Sequence, residues 1–128
     1  MKIIDILNAR NSIAMLNRIK FADFKMVSNV YRFTKRINEV LEMHQQEQKK
    51  IIDIYVLKDE KGELVIKNNQ YQFADEKTKQ KFIEDMNSLA LSEVPDLDRI
   101  DISLDSVQAA EGFTSEELLK LEPLINWI

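Results

Sequence analysis

Cysteine is absent from this chain of 128 residues, and histidine occurs once, at His44. Without cysteine there are no disulfides, no thiolate nucleophile and no cysteine-ligated metal, which fits a reducing, cytoplasmic compartment. Sites that move protons or activate nucleophiles are usually built around His, Cys or paired carboxylates. A glycine-rich phosphate loop is also missing. We therefore expect a protein that is not an enzyme and that uses no cofactor.

Glycine and proline are scarce, with two of each, so flexible linkers and low-complexity segments have little room. No stretch approaches the ~18 consecutive apolar residues of a membrane span. The first residues carry Asp5 and Arg10 within their apolar part, which is atypical of a signal peptide. Apolar residues make up 45% and charged residues 31% of the chain, as in globular proteins. We expect one domain, residues 1–128, and no membrane contact.

The charge is unevenly distributed along the chain. Residues 1–36 hold eight basic and two acidic residues, a net +6, which leaves −10 for the rest because the whole chain carries −4. Such asymmetry indicates either that the two parts attract each other in the fold or oligomer, or that the basic part binds nucleic acid. The candidate basic surface is Arg32, Lys35 and Arg36, which would lie on the second helix of a helix-turn-helix. That helix is too long for a typical recognition element, so nucleic acid is the alternative partner.

A long helix is predicted from Asp23, a plausible N-cap, to about Tyr55, because no glycine or proline interrupts this stretch. At ~1.5 Å per residue it would extend roughly 50 Å. Steps of three and four residues mark a heptad seam, which predicts self-association into a homo-oligomer with His44 and Gln48 fixing the register. The residues of this heptad seam are Val30, Ile37, Leu41, His44, Gln48, Ile51 and Tyr55.

The fold class predicted is α+β. A helical hairpin with one long, coiled-coil-like helix covers residues 3–55, and residues 56–128 form a remainder with a small β-hairpin or sheet and two shorter helices. Caps, turns and periodicity predict the other elements. They are a helix at 3–18, a hairpin that pairs 64–66 with 71–73 around Asn68-Asn69, and a helix at 76–90 capped by Asp75. A strand with Ile100, Ile102 and Leu104 follows. The last helix contains Leu118, Leu121 and Ile125, begins at a Thr114/Glu117 capping box and ends near Pro123.

The candidate acidic surface consists of Asp96, Asp98, Asp101 and Asp105. Three interpretations remain open: the solvated face of an edge strand, a surface that binds a basic partner in place of nucleic acid, or a magnesium site in which Asp101 and Asp105 share one strand face. A calcium loop at residues 58–63 is disfavoured because Lys61 stands where an oxygen ligand is needed. We expect no metal site.

The order of these elements resembles a family of small uncharacterised proteins encoded by phages and prophages of Gram-positive bacteria. The most recognisable residues are Tyr55, the KDEKG turn at 58–62, Phe73, Asp75 with Glu76, and Phe82. These are caps, turns and scaffold residues, and no catalytic set comes with the family. The resemblance implies a phage origin, the cytoplasm of a bacterial host, and a role in assembly or in modulating a host factor.

The sequence thus predicts a non-enzymatic, phage-type accessory or assembly protein that acts by protein–protein interaction, with itself or with a host or phage protein. One alternative is a nucleic-acid-binding protein that uses the basic N-terminal third. Another is an inhibitor of a host factor that uses the acidic C-terminal third.

Overall fold

A computed structural model describes residues 1–94 and 97–128 and confirms the α+β class. The chain forms two compact units, unit 1 with residues 1–41 and 93–128 and unit 2 with residues 42–92. The units divide within the long helix, between residues 41 and 42. The elements are α1 Ile3–Asn8, α2 Arg10–Leu16, α3 Phe24–Tyr55, β1 Ile66–Lys67, β2 Gln70–Tyr71, α4 Glu76–Ala90, β3 Ile100–Ile102, α5 Leu104–Gln108, α6 Ser115–Leu121 and β4 Ile125–Trp127.

The first helix was predicted as one segment over residues 3–18, and this is wrong. Ala9 leaves the helical conformation at φ −98° and ψ 5°, which ends α1 and begins α2. Its backbone N–H donates to the Ile6 carbonyl at 3.1 Å, a bond to the third residue back that closes the turn tightly. The predicted apolar face is nevertheless buried throughout, at Ile3, Ile6, Ala9, Ile13 and Leu16.

Helix α3 begins and ends as predicted. Asp23 caps it, because its Oδ1 accepts the backbone N–H of Lys25 at 2.9 Å. The helix continues for 32 residues to Tyr55, which corresponds to about 48 Å at ~1.5 Å per residue. In unit 1, Asn17 just after α2 donates through Nδ2 to Thr34 Oγ1 on α3 at 3.0 Å, which links the two helices. The α3 residues that unit 1 buries are Val30, Phe33, Ile37 and Val40.

The predicted strand at Ile100 ends at Ile102, two residues earlier than expected. Ser103 is the reason, because its Oγ accepts the Ser106 N–H at 3.4 Å and starts α5 at Leu104. β3 pairs in parallel with β4, with Ile100 opposite Ile125.

Ile125 was expected in the last helix and instead belongs to β4, so that expectation is wrong. Helix α6 ends at Leu121, as Pro123 predicted, because proline cannot donate the next helical bond. The residues after it become extended because β3 offers them a partner. The core around this pair contains Ile102, Val107, Leu121, Leu124 and Ile125, all buried.

The predicted capping box of α6 is half present. Thr114 Oγ1 accepts the backbone N–H of Glu117 at 3.4 Å, as expected. The Glu117 carboxylate, however, accepts the hydroxyl of Ser12 on α2. Ser12 is fully buried, so this bond fixes α6 against α2 within unit 1.

Unit 2 contains the predicted β-hairpin. Asn68 and Asn69 form its turn at φ 53° and 62°, and β1 pairs with β2 so that Ile66 lies opposite Tyr71. Positive φ at both central residues is the geometry of a type I′ hairpin turn, which asparagine tolerates. Each strand has two residues and lies closer to the turn than predicted, so that Ile66 and Tyr71 are the members of the predicted 64–66 and 71–73 that belong to β1 and β2.

Helix α4 follows the hairpin and carries the aromatic centre of unit 2. Asp75 caps it by accepting the Thr78 N–H at 2.7 Å, and this bond lowers the pKa of the Asp75 carboxyl. The ring of Phe82 lies 6.5 Å from Tyr55, 6.4 Å from Tyr71 and 5.0 Å from Phe73, centroid to centroid. The helix spans residues 76–90, as predicted.

We predict that Ser12→Ala lowers the free energy of unfolding by about 1.5–3 kcal/mol, the range for a hydrogen bond to a charged group. The half-buried Glu117 carboxylate would lose its donor from α2. Denaturant unfolding monitored by circular dichroism measures the change. Ser88→Ala, at an exposed position of α4, is the matched control and should leave stability within about 0.5 kcal/mol. Equal effects of the two substitutions would show that the Ser12–Glu117 bond does not stabilise unit 1.

Candidate functional site

The chain itself buries part of the heptad seam. Val30, Ile37 and His44 are buried, and the other members, Leu41, Gln48, Ile51 and Tyr55, are half-buried. At its end, the hydroxyl of Tyr55 donates to the Asp85 carboxylate on α4 at 2.7 Å, within unit 2. A side chain buried in one chain cannot also pack against a second copy without rearrangement. Self-association through the seam therefore stays a prediction, and it concerns the half-buried residues of the seam.

Tyr55 shows how closely α4 covers the end of the seam. The bond that its hydroxyl donates to Asp85 raises the pKa of Tyr55, because the bond and the nearby negative charge both favour the neutral phenol. The ring of Tyr55 also meets Phe82 edge to face. Tyr55 thus packs and bonds within unit 2.

The opposite side of α3 in unit 1 exposes large apolar side chains. Phe24 is 80% exposed, Val27 41% and Tyr31 65%. Their spacing of three and four residues groups them on one side of the helix, where Phe24 and Tyr31 are turned away from the buried Phe33. We call Phe24, Val27 and Tyr31 the aromatic face. Large apolar residues grouped on a surface mark sites of interaction.

Two members of the predicted basic surface lie beside the aromatic face. Lys35 is one helical turn beyond Tyr31 on the same side, Arg32 is next to Tyr31, and both are exposed. Arg36 is half-buried and turned further around the helix, where its Nη1 pairs with Glu39 at 3.1 Å. Lys35 therefore lies with the aromatic face, and Arg32 flanks it, one helical turn before Arg36.

The predicted acidic residues are exposed where the structure describes them, but they do not share a strand. Asp101 lies in β3, whereas Asp105 lies in the first turn of α5, so the expectation of one common strand face is wrong. Asp98 precedes β3, and Asp96 lies outside the described residues. Within residues 1–94 and 97–128, no three acidic or histidine side chains are grouped so that they could hold a metal ion.

Sequence reasoning missed the aromatic face, although its signal was available. Phe24, Val27 and Tyr31 follow the same three-four spacing that defined the heptad seam. The heptad seam and the aromatic face both have the spacing of a helix, and only the packing of unit 1 shows which of the two the chain buries. The exposed stripe is therefore identified from burial and not from periodicity.

Comparison with protein-family models, with curated proteins and with solved structures found no match to this chain. Among the residues that the structure describes, no helix combines the length and the apolar character that crossing a membrane requires. The candidate site therefore depends on the geometry and chemistry of the chain itself.

We predict that Asp85→Ala lowers the pKa of Tyr55 toward its ordinary value, because the acceptor and its negative charge are both removed. NMR titration of 13C-labelled tyrosine resolves Tyr55 from Tyr31 and Tyr71. Since the pKa is raised in the folded protein, the stabilisation from this bond is present below the ordinary tyrosine pKa and is lost as pH rises through the raised value. Glu60→Ala, at another exposed carboxylate of unit 2, should leave the Tyr55 titration unchanged. An unaltered Tyr55 pKa in Asp85→Ala would contradict the assignment.

Proposed function

We propose that this chain is a non-enzymatic accessory or assembly protein of phage type that acts by protein–protein contact through the aromatic face. The resemblance of its element order to small phage and prophage proteins supports the phage origin. The observation that supports this contact surface is the exposure of Phe24, Val27 and Tyr31, which are grouped on one side of α3. Removing such side chains from water is favourable by about 25 cal/mol per Å² of apolar area.

The basic residues beside the aromatic face favour a partner surface that is acidic. Lys25, Arg32 and Lys35 are exposed beside the aromatic face, so two copies packed face to face would place like charges together. An acidic partner surface avoids this repulsion. Residues 97–128 of the same chain carry seven acidic and two basic residues, a net −5.

The partner that we propose is a second copy of this chain. The basic residues that flank the aromatic face of one copy would meet Asp98, Asp101 and Asp105 of the next copy, which are all exposed. This contact uses two different surfaces, so it is heterologous, and repeated copies would form a ring or an open chain. Such an arrangement suits an assembly factor.

Single-stranded nucleic acid is the second candidate partner, and one observation favours it. Phe24 and Tyr31 lie on the same side of α3 as Lys35, with Arg32 beside them, and proteins that bind single strands combine aromatic platforms with basic residues in this way. The net charge of −4 opposes it, because the acidic remainder of the chain repels phosphates.

We predict that the protein self-associates at low salt and that Phe24→Ser with Tyr31→Ser makes it monomeric. Light scattering from micromolar to millimolar protein measures the mass, which should fall as salt screens the charges. Met43→Ser with Ile54→Ser is the matched control, because it removes two exposed apolar residues of α3 from unit 2. A wild-type protein that is monomeric at every concentration, or a control that dissociates equally, would contradict the proposal.

A charge exchange tests the acidic side of the same contact. Arg32→Glu with Lys35→Glu makes the aromatic face acidic, and Asp101→Lys with Asp105→Lys makes the opposing surface basic. Each double variant should be monomeric alone, whereas an equal mixture should form assemblies in which the two variants alternate, because each surface of one variant meets the opposite charge only on the other. A mixture that stays monomeric would rule out this pairing.

Nucleic acid is tested separately by the fluorescence anisotropy of a labelled single-stranded oligonucleotide at low salt. Salt-sensitive binding that is lost in Phe24→Ser with Tyr31→Ser, together with a monomeric wild-type protein, would favour the second candidate. Absence of binding would eliminate it.

A further inference from the structure

We propose that a cleft in unit 1, separate from the aromatic face, binds a small organic anion, namely a carboxylate or phosphate monoester attached to an aromatic body. The cleft lies between the end of α2 and the segment that joins α5 to α6, and its volume is about 450 Å³. Ligand sites of proteins commonly have about 300–1,000 Å³, mostly apolar walls and a few convergent polar groups.

One wall of the cleft supplies positive charge. Arg18 and Lys20 line it from the turn that follows α2, where the backbone N–H of Arg18 donates to the Met15 carbonyl at 3.1 Å and that of Ile19 to the Leu16 carbonyl at 3.2 Å. In the part of the chain that the structure describes, neither Arg18 nor Lys20 has a carboxylate within 4 Å. Their donors are thus available, and the planar guanidinium fork of arginine fits carboxylate and phosphate oxygens with two parallel bonds.

The opposite wall supplies a hydroxyl and an apolar surface. Ser106 of α5 uses its backbone N–H to bond Ser103 Oγ and lines the cleft, and a serine hydroxyl can donate to an anion. Phe113 on this wall and Met15 at the end of α2 are both half-buried and line the cleft, so they can cover an aromatic body.

Gly112 brings the connecting segment close to Met15. Its φ of +88° favours a residue without a side chain, and a carbon placed at its Cβ position would lie 3.5 Å from Met15 Cε, an ordinary contact distance. The Phe113 wall and the Met15 wall are therefore held near each other. The cleft thus combines basic and apolar lining residues.

Glu111 limits the ligand class. It lines the same cleft, so with Arg18 and Lys20 the net charge of the lining is only +1. A polyanion would meet repulsion from Glu111, whereas a ligand with a single anionic group can turn that group toward Arg18 and Lys20. Glu111 can also accept a bond from a hydroxyl or amine of the ligand. The cleft therefore fits a small molecule with one anionic group better than a nucleic-acid strand.

The proposal is tested with four probes that separate the two ends of the ligand, namely phenyl phosphate, benzoate, inorganic phosphate and phenol. Titrations followed by amide shifts in 15N NMR spectra should perturb residues 15–20 and 106–113. We expect phenyl phosphate or benzoate to bind at least about tenfold more tightly than inorganic phosphate or phenol, and the better of the two identifies the anionic group. Shifts spread over unrelated residues, or equal affinities for all four probes, would overturn the proposal.

Three variants locate the site. Arg18→Gln should weaken the binding of phenyl phosphate by about tenfold or more, whereas Lys49→Gln, an exposed residue of α3 with the same loss of charge, should leave it unchanged. Phe113→Leu should weaken phenyl phosphate but not inorganic phosphate. Equal effects of Arg18→Gln and Lys49→Gln would show that general charge, and not the cleft, attracts the anion. Self-association, measured by light scattering, is a separate test, so failure of the cleft proposal and failure of the proposed function can be distinguished.

Discussion

Burial of one side of α3 in unit 1 determines which surfaces this protein can offer to a partner. Val30, Phe33, Ile37 and Val40 leave water together, and the helix cannot rotate without exposing them. Once that side is fixed inward, Phe24 and Tyr31 must face solvent, because residues on opposite sides of a helix cannot both be covered by the same core. The same orientation places Lys35 beside Tyr31 and turns Arg36 toward Glu39.

Local signals in the sequence predicted most of the fold. The caps at Asp23 and Asp75 and the asparagine pair at the hairpin turn were identified correctly because each depends on bonds within a few residues. The errors concern features that depend on distant partners. β4 forms because β3 is available across the fold, and Glu117 bonds to Ser12 because tertiary packing brings them together.

The heptad seam illustrates a limit of periodicity. A three-four stripe indicates that one side of a helix is covered, but it does not tell whether the cover belongs to the same chain or to a second copy. In this protein Val30 and Ile37 are buried by the chain itself, and Tyr55 is engaged by Phe82 and Asp85 of α4. The candidate contact therefore comes from the other stripe, which only the burial of α3 reveals.

The central claim is that the aromatic face is covered when copies of this chain meet. Because the sequence has no cysteine, Ser28→Cys places a single thiol on α3 between Phe24 and Tyr31, and its rate of reaction with a soluble thiol reagent measures exposure directly. The account predicts a rate that falls as protein concentration rises at low salt, while Ser88→Cys on α4 reacts at a constant rate. A Ser28→Cys rate that does not change with concentration would contradict the claim.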